Sequence, residues 1–269
     1  MKIALCLYGL TGSKNDKWGR GVNLDPKFAY NYYLKNFFRF NKNVDVFIHS
    51  QSYEHRNKLR TLYKPKKFLI EKKKSFIFSL NEHPAASRIY SIKLFLIDLI
   101  KYFSDFISPK EKMRIREKKI INCYSRWYSS KAVLVLKKKY EIQNNFRYDI
   151  VFLGRLDMAL LTPFKMSQFN KENITVSNSN YFPDLSKNFL DKPSKKIIKK
   201  QGTLDFWFVG ASKNLDKLGL IYDKIKDYDI NPHFTIPQHL KKMRIKISHK
   251  MYRWFDYELI RFKFFNSKI

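Results

Sequence analysis

The stretch that most restricts how this chain can fold is Tyr148 to Phe164, YDIVFLGRLDMALLTPF. An apolar run from Ile150 to Gly154 enters the triplet Arg155-Leu156-Asp157, and apolar residues resume at once at Met158. A short apolar run bounded by polar residues fits a strand covered on both faces, as in a mostly parallel sheet. Strand alternation then puts Arg155 and Asp157 on one side of the backbone and Leu156 on the other. Open α/β sheets bind their ligands at the carboxyl ends of the strands. A guanidinium and a carboxylate placed there suit a metal-diphosphate group. They suit an internal ion pair equally well, and the triplet alone leaves both readings standing.

Three further runs extend the pattern. Ile3 to Leu7 ends at Tyr8-Gly9 and passes into Thr11-Gly12-Ser13, which is strand followed by a glycine-bearing loop. GLTG matches neither of the usual phosphate-binding glycine motifs, so the loop alone names no ligand. Val44 to Ser50, VDVFIHS, is a second strand that ends on His49-Ser50. Asp205 to Gly210, DFWFVG, is another apolar strand, opened by a carboxylate. Between them, Lys27 to Phe40 and Ile121 to Tyr140 carry aromatic and aliphatic residues at three- and four-residue steps, which predicts helices. A helix is also predicted from Leu215 to Lys226, with Ser212 or Asn214 as its cap. Ser87 to Ile107 reads as a packed helix, and Tyr181 to Gln201 as a lysine-rich surface loop or lid. The expectation is one α/β domain over residues 1–269, a mostly parallel central sheet with helices on both faces. A basic, aromatic segment at about 241–269 closes the chain, and a packed helix with a solvated Lys/Arg face accounts for it as well as a docking surface does.

Charge limits the partners. With 54 Lys and Arg against 23 Asp and Glu, the formal net charge is +31, which points to anionic partners. An aromatic content of 17% within 44% hydrophobic residues is enough for a real core, so the chain is not a disordered polycation. Cys6 and Cys123 form no CxxC pair, which fits a reducing compartment. The first residues, MKIALCLYGLTG, read as a core strand rather than a signal peptide, and no run reaches the ~18 apolar residues of a membrane span. These features together predict a cytoplasmic protein. Basic clusters at Lys64 to Lys74, Lys192 to Lys200 and Lys241 to Lys250, interleaved with aromatics, also suit a nucleic-acid-binding protein without catalytic activity. The chain lacks zinc-finger spacing and an RNP-type motif, which argues against that alternative.

Chemistry-bearing residues assemble around the strand ends. A divalent cation bound to phosphate oxygens commonly needs one or two protein carboxylates, and Asp157 fits that need. Arg155 can neutralise a phosphate with paired N–H donors. Asp205 is the candidate general base, with His233 or His239 beyond it in NPHFTIPQHL.

The order of these segments resembles bacterial glycosyltransferases of the GT-A fold, the kind found in capsule, lipooligosaccharide and O-antigen clusters. The pieces that carry the resemblance are MKIALCLYGL, VDVFIHS, SRWYSSKAVLVLKKKYEIQNNFRYDIVFLGRLD and DFWFVGASKNLDKL. In GT-A enzymes a DxD triplet binds the metal and the nucleotide-sugar diphosphate; here the aligned triplet reads Arg155-Leu156-Asp157, so arginine replaces the first carboxylate. The resemblance implies a nucleotide-sugar donor facing Tyr8 and Gly9, and a glycan or lipid-linked glycan acceptor on the side of Asp205. It implies a divalent cation, Mn or Mg, at Asp157 with His239 completing the metal or diphosphate site. Arg155 in place of the carboxylate leaves open whether Asp157 holds that metal alone or the guanidinium stands in for it. An enzyme acting on a lipid-linked glycan is further expected to sit, as a peripheral protein, on the anionic inner-membrane surface.

Overall fold

The strand ends that the sequence marks out converge on one edge of a central sheet. The structure, a computed structural model, describes residues 1–12, 24–76, 109–178, 203–229, 231–253 and 255–260, with backbone alone for 109–116. The expected helix at Ser87 to Ile107 and the lid at Tyr181 to Gln201 lie outside the described residues, as does the end of the basic C-terminal segment.

Strands β1 (Ile3–Gly9), β2 (Val44–Ser50), β3 (Lys67–Ile70) and β4 (Ile150–Arg155) run parallel, with β1 between β2 and β4. A three-residue strand, β5 (Met158–Leu160), follows β4 directly. β6 (Ile174–Ser177), β7 (Trp207–Gly210) and β8 (Ile247–Lys250) complete a seven-stranded sheet in the order β3-β2-β1-β4-β7-β6-β8. β7 is antiparallel to both of its neighbours, and every other pairing in this sheet is parallel. The short strand β9 (Tyr257–Leu259) pairs with β5 in a small second sheet.

Alternation along β1 divides the core in two. Ile3, Leu5 and Leu7 pack with Tyr33 and Phe37 of α1 (Lys27–Asn36) and its continuation, and with Leu59 and Tyr63 of α2 (Arg56–Tyr63). Ala4, Cys6 and Tyr8 face the other way, onto Cys123, Tyr124 and Trp127 of the long helix α3 (Pro109–Gln143). Leu215 and Leu218 of α4 (Ser212–Gly219) and Ile236 and Leu240 of α5 (Pro232–Lys242) join that second layer. Helices therefore cover both faces, which is why β1 and β4 are apolar at nearly every position.

Several elements differ from expectation for identifiable reasons. α3 begins at Pro109, well before the periodic segment at Ile121; Lys, Arg and Glu are good helix formers, so a charged stretch without apolar periodicity can still be helical. α5 was hidden by Pro237 in its interior; Asn231 caps it, accepting from the His233 N–H at 3.1 Å, and Pro232 occupies its first turn. Residues 247–250 and 257–259 of the basic C-terminal segment are strands rather than one helix. α4 stops at Gly219, short of the expected Lys226. A buried ammonium joins α3 to α4: Lys137 Nζ donates to Glu141 at 3.0 Å and Asp216 at 2.6 Å.

Candidate functional site

The reversal of β7 builds the site. In the antiparallel register Gly154 lies opposite Trp207, so the start of β7 meets the carboxyl end of β4 and Asp205 arrives beside the Arg155-Leu156-Asp157 turn. A cleft of about 500 Å3 opens here, where β1 and β4 end. Tyr8, Gly9, Arg155, Asp157 and Asp205 all line it. Five residues chosen from sequence, separated by up to two hundred positions, thus meet in one place.

Arg155 and Asp157 form a chelate. Nε of Arg155 donates to one carboxylate oxygen of Asp157 at 2.6 Å and an Nη donates to the other at 2.7 Å. Burial works against the charge on Arg155, but the Asp157 carboxylate outweighs it and holds the guanidinium firmly protonated. The backbone around the pair is pinned: Tyr33 Oη donates to the Arg155 carbonyl at 2.8 Å, Leu156 N–H donates to the Tyr8 carbonyl at 2.9 Å, and Ile260 N–H donates to the Asp157 carbonyl at 2.9 Å. Gly12, in the loop just beyond β1, approaches it. Gly9 and Gly12 have φ of +97° and +107°, and a Cβ on Gly12 would come within 3.6 Å of the Asp157 Cβ, so this loop favours glycine at both positions. Ser50 at the end of β2 donates to the Gly9 carbonyl at 2.7 Å, and Ser52 Oγ accepts from Thr11 N–H at 3.2 Å.

A second cation-carboxylate pair stands opposite. Arg126 of α3 pairs with Asp205 and donates to Tyr8 Oη at 2.6 Å. Burial raises the proton affinity of Asp205, yet Arg126, helped by His233 and Arg155, more than reverses this and holds its carboxyl below the usual carboxylate range. A carboxylate held that way is a weak base. Next to it, His233 lines the cleft with a third of its side chain exposed, and its Nδ1 lies 2.9 Å from the Thr203 carbonyl. A carbonyl only accepts, so Nδ1 carries a proton, and in that tautomer Nε2 is the nitrogen that can accept another.

His239 lies elsewhere. It is fully buried within the second layer, with Tyr228 Oη 2.9 Å from Nδ1 and the Lys217 carbonyl 2.8 Å from Nε2. Both ring nitrogens are committed to protein partners and the side chain is not part of the cleft wall, against the expected role as a ligand. His49 is buried too, with Nε2 3.1 Å from Glu71. Sequence reasoning passed over Arg126, although a lone cation between core-facing Tyr124 and Trp127 was the available signal. It met Lys73 only as part of the basic cluster Lys64 to Lys74 and missed Gln51 and Lys119; all three line the cleft. Gln51 follows β2 directly; its amide nitrogen and Nε of Arg126 are buried donors with no hydrogen-bond partner among the described residues. Buried donors left unpaired at a cleft wall are costly unless a ligand or water takes them up.

The donor set does not suit a divalent cation held by the chain. Among the described residues, each carboxylate that lines the cleft is already engaged by an arginine, Asp157 through both oxygens. A cation at Asp157 would have to displace the Arg155 guanidinium and sit beside it, against direct repulsion.

No helix among the described residues is long and apolar enough to cross a membrane. Comparison of the chain with known protein families and with curated proteins gave no match.

Proposed function

We propose that this chain is a GT-A-type glycosyltransferase, which moves a sugar from a nucleotide-sugar donor to a hydroxyl of a bacterial surface glycan. One observation carries the reading: two arginine-carboxylate pairs face one cleft at the carboxyl ends of β1 and β4, where an α/β sheet takes its ligands. The α/β architecture with helices on both faces agrees with the resemblance seen in the sequence. In this account the donor nucleotide lies along Tyr8, Gly9 and Gln51, and the sugar points toward Asp205 and His233. The acceptor, free or lipid-linked, enters from that second side.

Chemistry then falls to the chain's own groups. The acceptor hydroxyl gives its proton to Nε2 of His233, whose tautomer the Thr203 carbonyl fixes. The acceptor oxygen bonds to the anomeric carbon, and the bond from that carbon to the diphosphate oxygen breaks. The electron pair leaves with the nucleoside diphosphate, whose charge Arg155 meets. Asp205, expected from sequence as the base, instead orients Arg126 and balances the imidazolium that forms on His233. A single displacement of this kind inverts the anomeric configuration.

The test is product release. Purified protein is incubated with a panel of nucleotide sugars, and free nucleoside diphosphate is measured with and without a glycan acceptor. One donor turned over by the wild type, and about a hundredfold more slowly or worse by His233→Asn, supports the reading. Turnover of none, together with no nucleotide bound, sinks it.

A further inference from the structure

We infer that the cleft holds the donor's diphosphate with cations of the chain itself, Arg126, Arg155, Lys73 and Lys119, and needs no divalent metal ion to do so. The inference rests on the transferase reading and names how that site recognises its substrate.

Charge balance is the first argument. Among the described residues, four Lys and Arg side chains line the cleft, and two carboxylates, Asp157 and Asp205, oppose them. Arginine and lysine therefore outnumber carboxylates on this wall by two among the described residues. Each bridging phosphate of a nucleotide sugar carries roughly one negative charge, so the diphosphate matches that surplus without help. Where a site presents a pair of unencumbered carboxylates, a metal must supply the missing positive charge. Here guanidinium groups supply it.

Geometry is the second. Asp157 is chelated by Arg155 at 2.6 and 2.7 Å, which aligns the planar fork at the strand end. Arg126 is gripped by Asp205 and Tyr8, and its Nε remains a buried donor without a partner among the described residues. Such clamps prepay the ordering of two long side chains, so binding an anion needs little further reorganisation. Arginine forks also match phosphate oxygens in pairs, as a point-like ammonium does not. The N-terminus of α5, at Asn231 to His233, faces the same cleft and adds the positive end of a helix dipole. Lys73 and Lys119 are exposed at the rim, where they draw an anion in.

The experiment measures thermal unfolding of the full chain with UDP, GDP, TDP and UDP-sugars, in EDTA and again in manganese or magnesium. The expected result is a stabilising shift by one nucleotide class that is equal in both buffers and shrinks as NaCl is raised. Replacing the exposed pair, Lys73→Ala with Lys119→Ala, is expected to weaken that nucleotide about tenfold while leaving the unliganded unfolding temperature in place. Arg126→Lys, which keeps the charge for Asp205 but loses the fork, is expected to weaken it further. A shift seen only with the metal overturns the inference and leaves the transferase reading standing. A shift that the double lysine variant leaves unchanged overturns the assignment of the rim charges. No shift by any nucleotide in either buffer overturns both.

Discussion

Asp157→Ala tests the pair on which the site is built. The substitution leaves the Arg155 guanidinium without its two charged hydrogen bonds, at 2.6 and 2.7 Å. The Arg155 side chain is only 16% exposed and Asp157 only 2%, so water can replace the lost carboxylate on one side at most. Stranding one member of a buried pair costs about 3–5 kcal/mol, and the partial exposure of Arg155 to the cleft points to the lower end, about 3 kcal/mol. For a domain of this size that corresponds to a fall of roughly 6–12 °C in unfolding temperature. Urea titration followed by circular dichroism reads the same quantity at constant temperature. Removing both charges, Arg155→Met with Asp157→Leu, is expected to recover most of the loss because no charge is then left unpaired. Nucleotide binding should vanish in both variants, which separates the site's chemistry from its stability. If Asp157→Ala unfolds within about 0.5 kcal/mol of the wild type, the chelate does not hold this turn and the reasoning fails.

Three other substitutions or conditions probe the frame. A Cβ on Gly154 would lie 2.1 Å from a ring carbon of Phe152, which packs against Phe37, Phe164 and Trp207. Gly154→Ala should therefore cost about 2–3 kcal/mol, and a variant as stable as the wild type would show that the ring can move freely. His49 and His239 are held neutral, mainly because burial lowers their proton affinity. Unfolding then takes up protons, so stability is nearly complete above about pH 7 and declines as pH falls through about 6.5, by at most about 1.4 kcal/mol per ring at pH 5.5. Unfolding temperatures from pH 7.5 to 5.5 should show the decline and His239→Gln should reduce it, His49 keeping its share; a level wild-type profile would contradict the assignment. Burial pushes the Cys123 thiol up to about 12, so iodoacetamide at pH 8 should label it far more slowly in the native chain than in urea, and equal rates would refute its burial.

The sheet centre was legible because buried parallel strands announce themselves as apolar runs: β1, β2 and β4 stand where Ile3, Val44 and Ile150 begin them. The sequence reading also picked out Arg155, Asp157 and Asp205, since charges at the ends of such runs are conspicuous. It did not reveal how Asp205 reaches the other two. That depends on β7 running against its neighbours, and strand direction leaves no trace in a four-residue run such as Trp207 to Gly210. Arg126 was missed because helical periodicity points to its apolar neighbours, and only the tertiary fold shows the cation bridging Tyr8 and Asp205. His239 was misplaced for the opposite reason: polar residues near a site in sequence attract attention, although a histidine between a tyrosine hydroxyl and a carbonyl is a satisfied core residue. β8 (ISHK) and β9 (YEL) escaped because runs of three or four mixed residues carry no clear alternation, and their pairing is decided by the backbone of β6 and β5.

Hydrogen exchange of the full chain with and without a nucleotide sugar tests the central claim most directly, since it locates the ligand as well as detecting it. The account predicts slowed exchange at residues 8–12, 50–52, 155–157 and 203–206 for one nucleotide class, at saturating ligand and in EDTA. Slowing elsewhere, or slowing of the basic surface by a single-stranded oligonucleotide with none in the cleft, would contradict it.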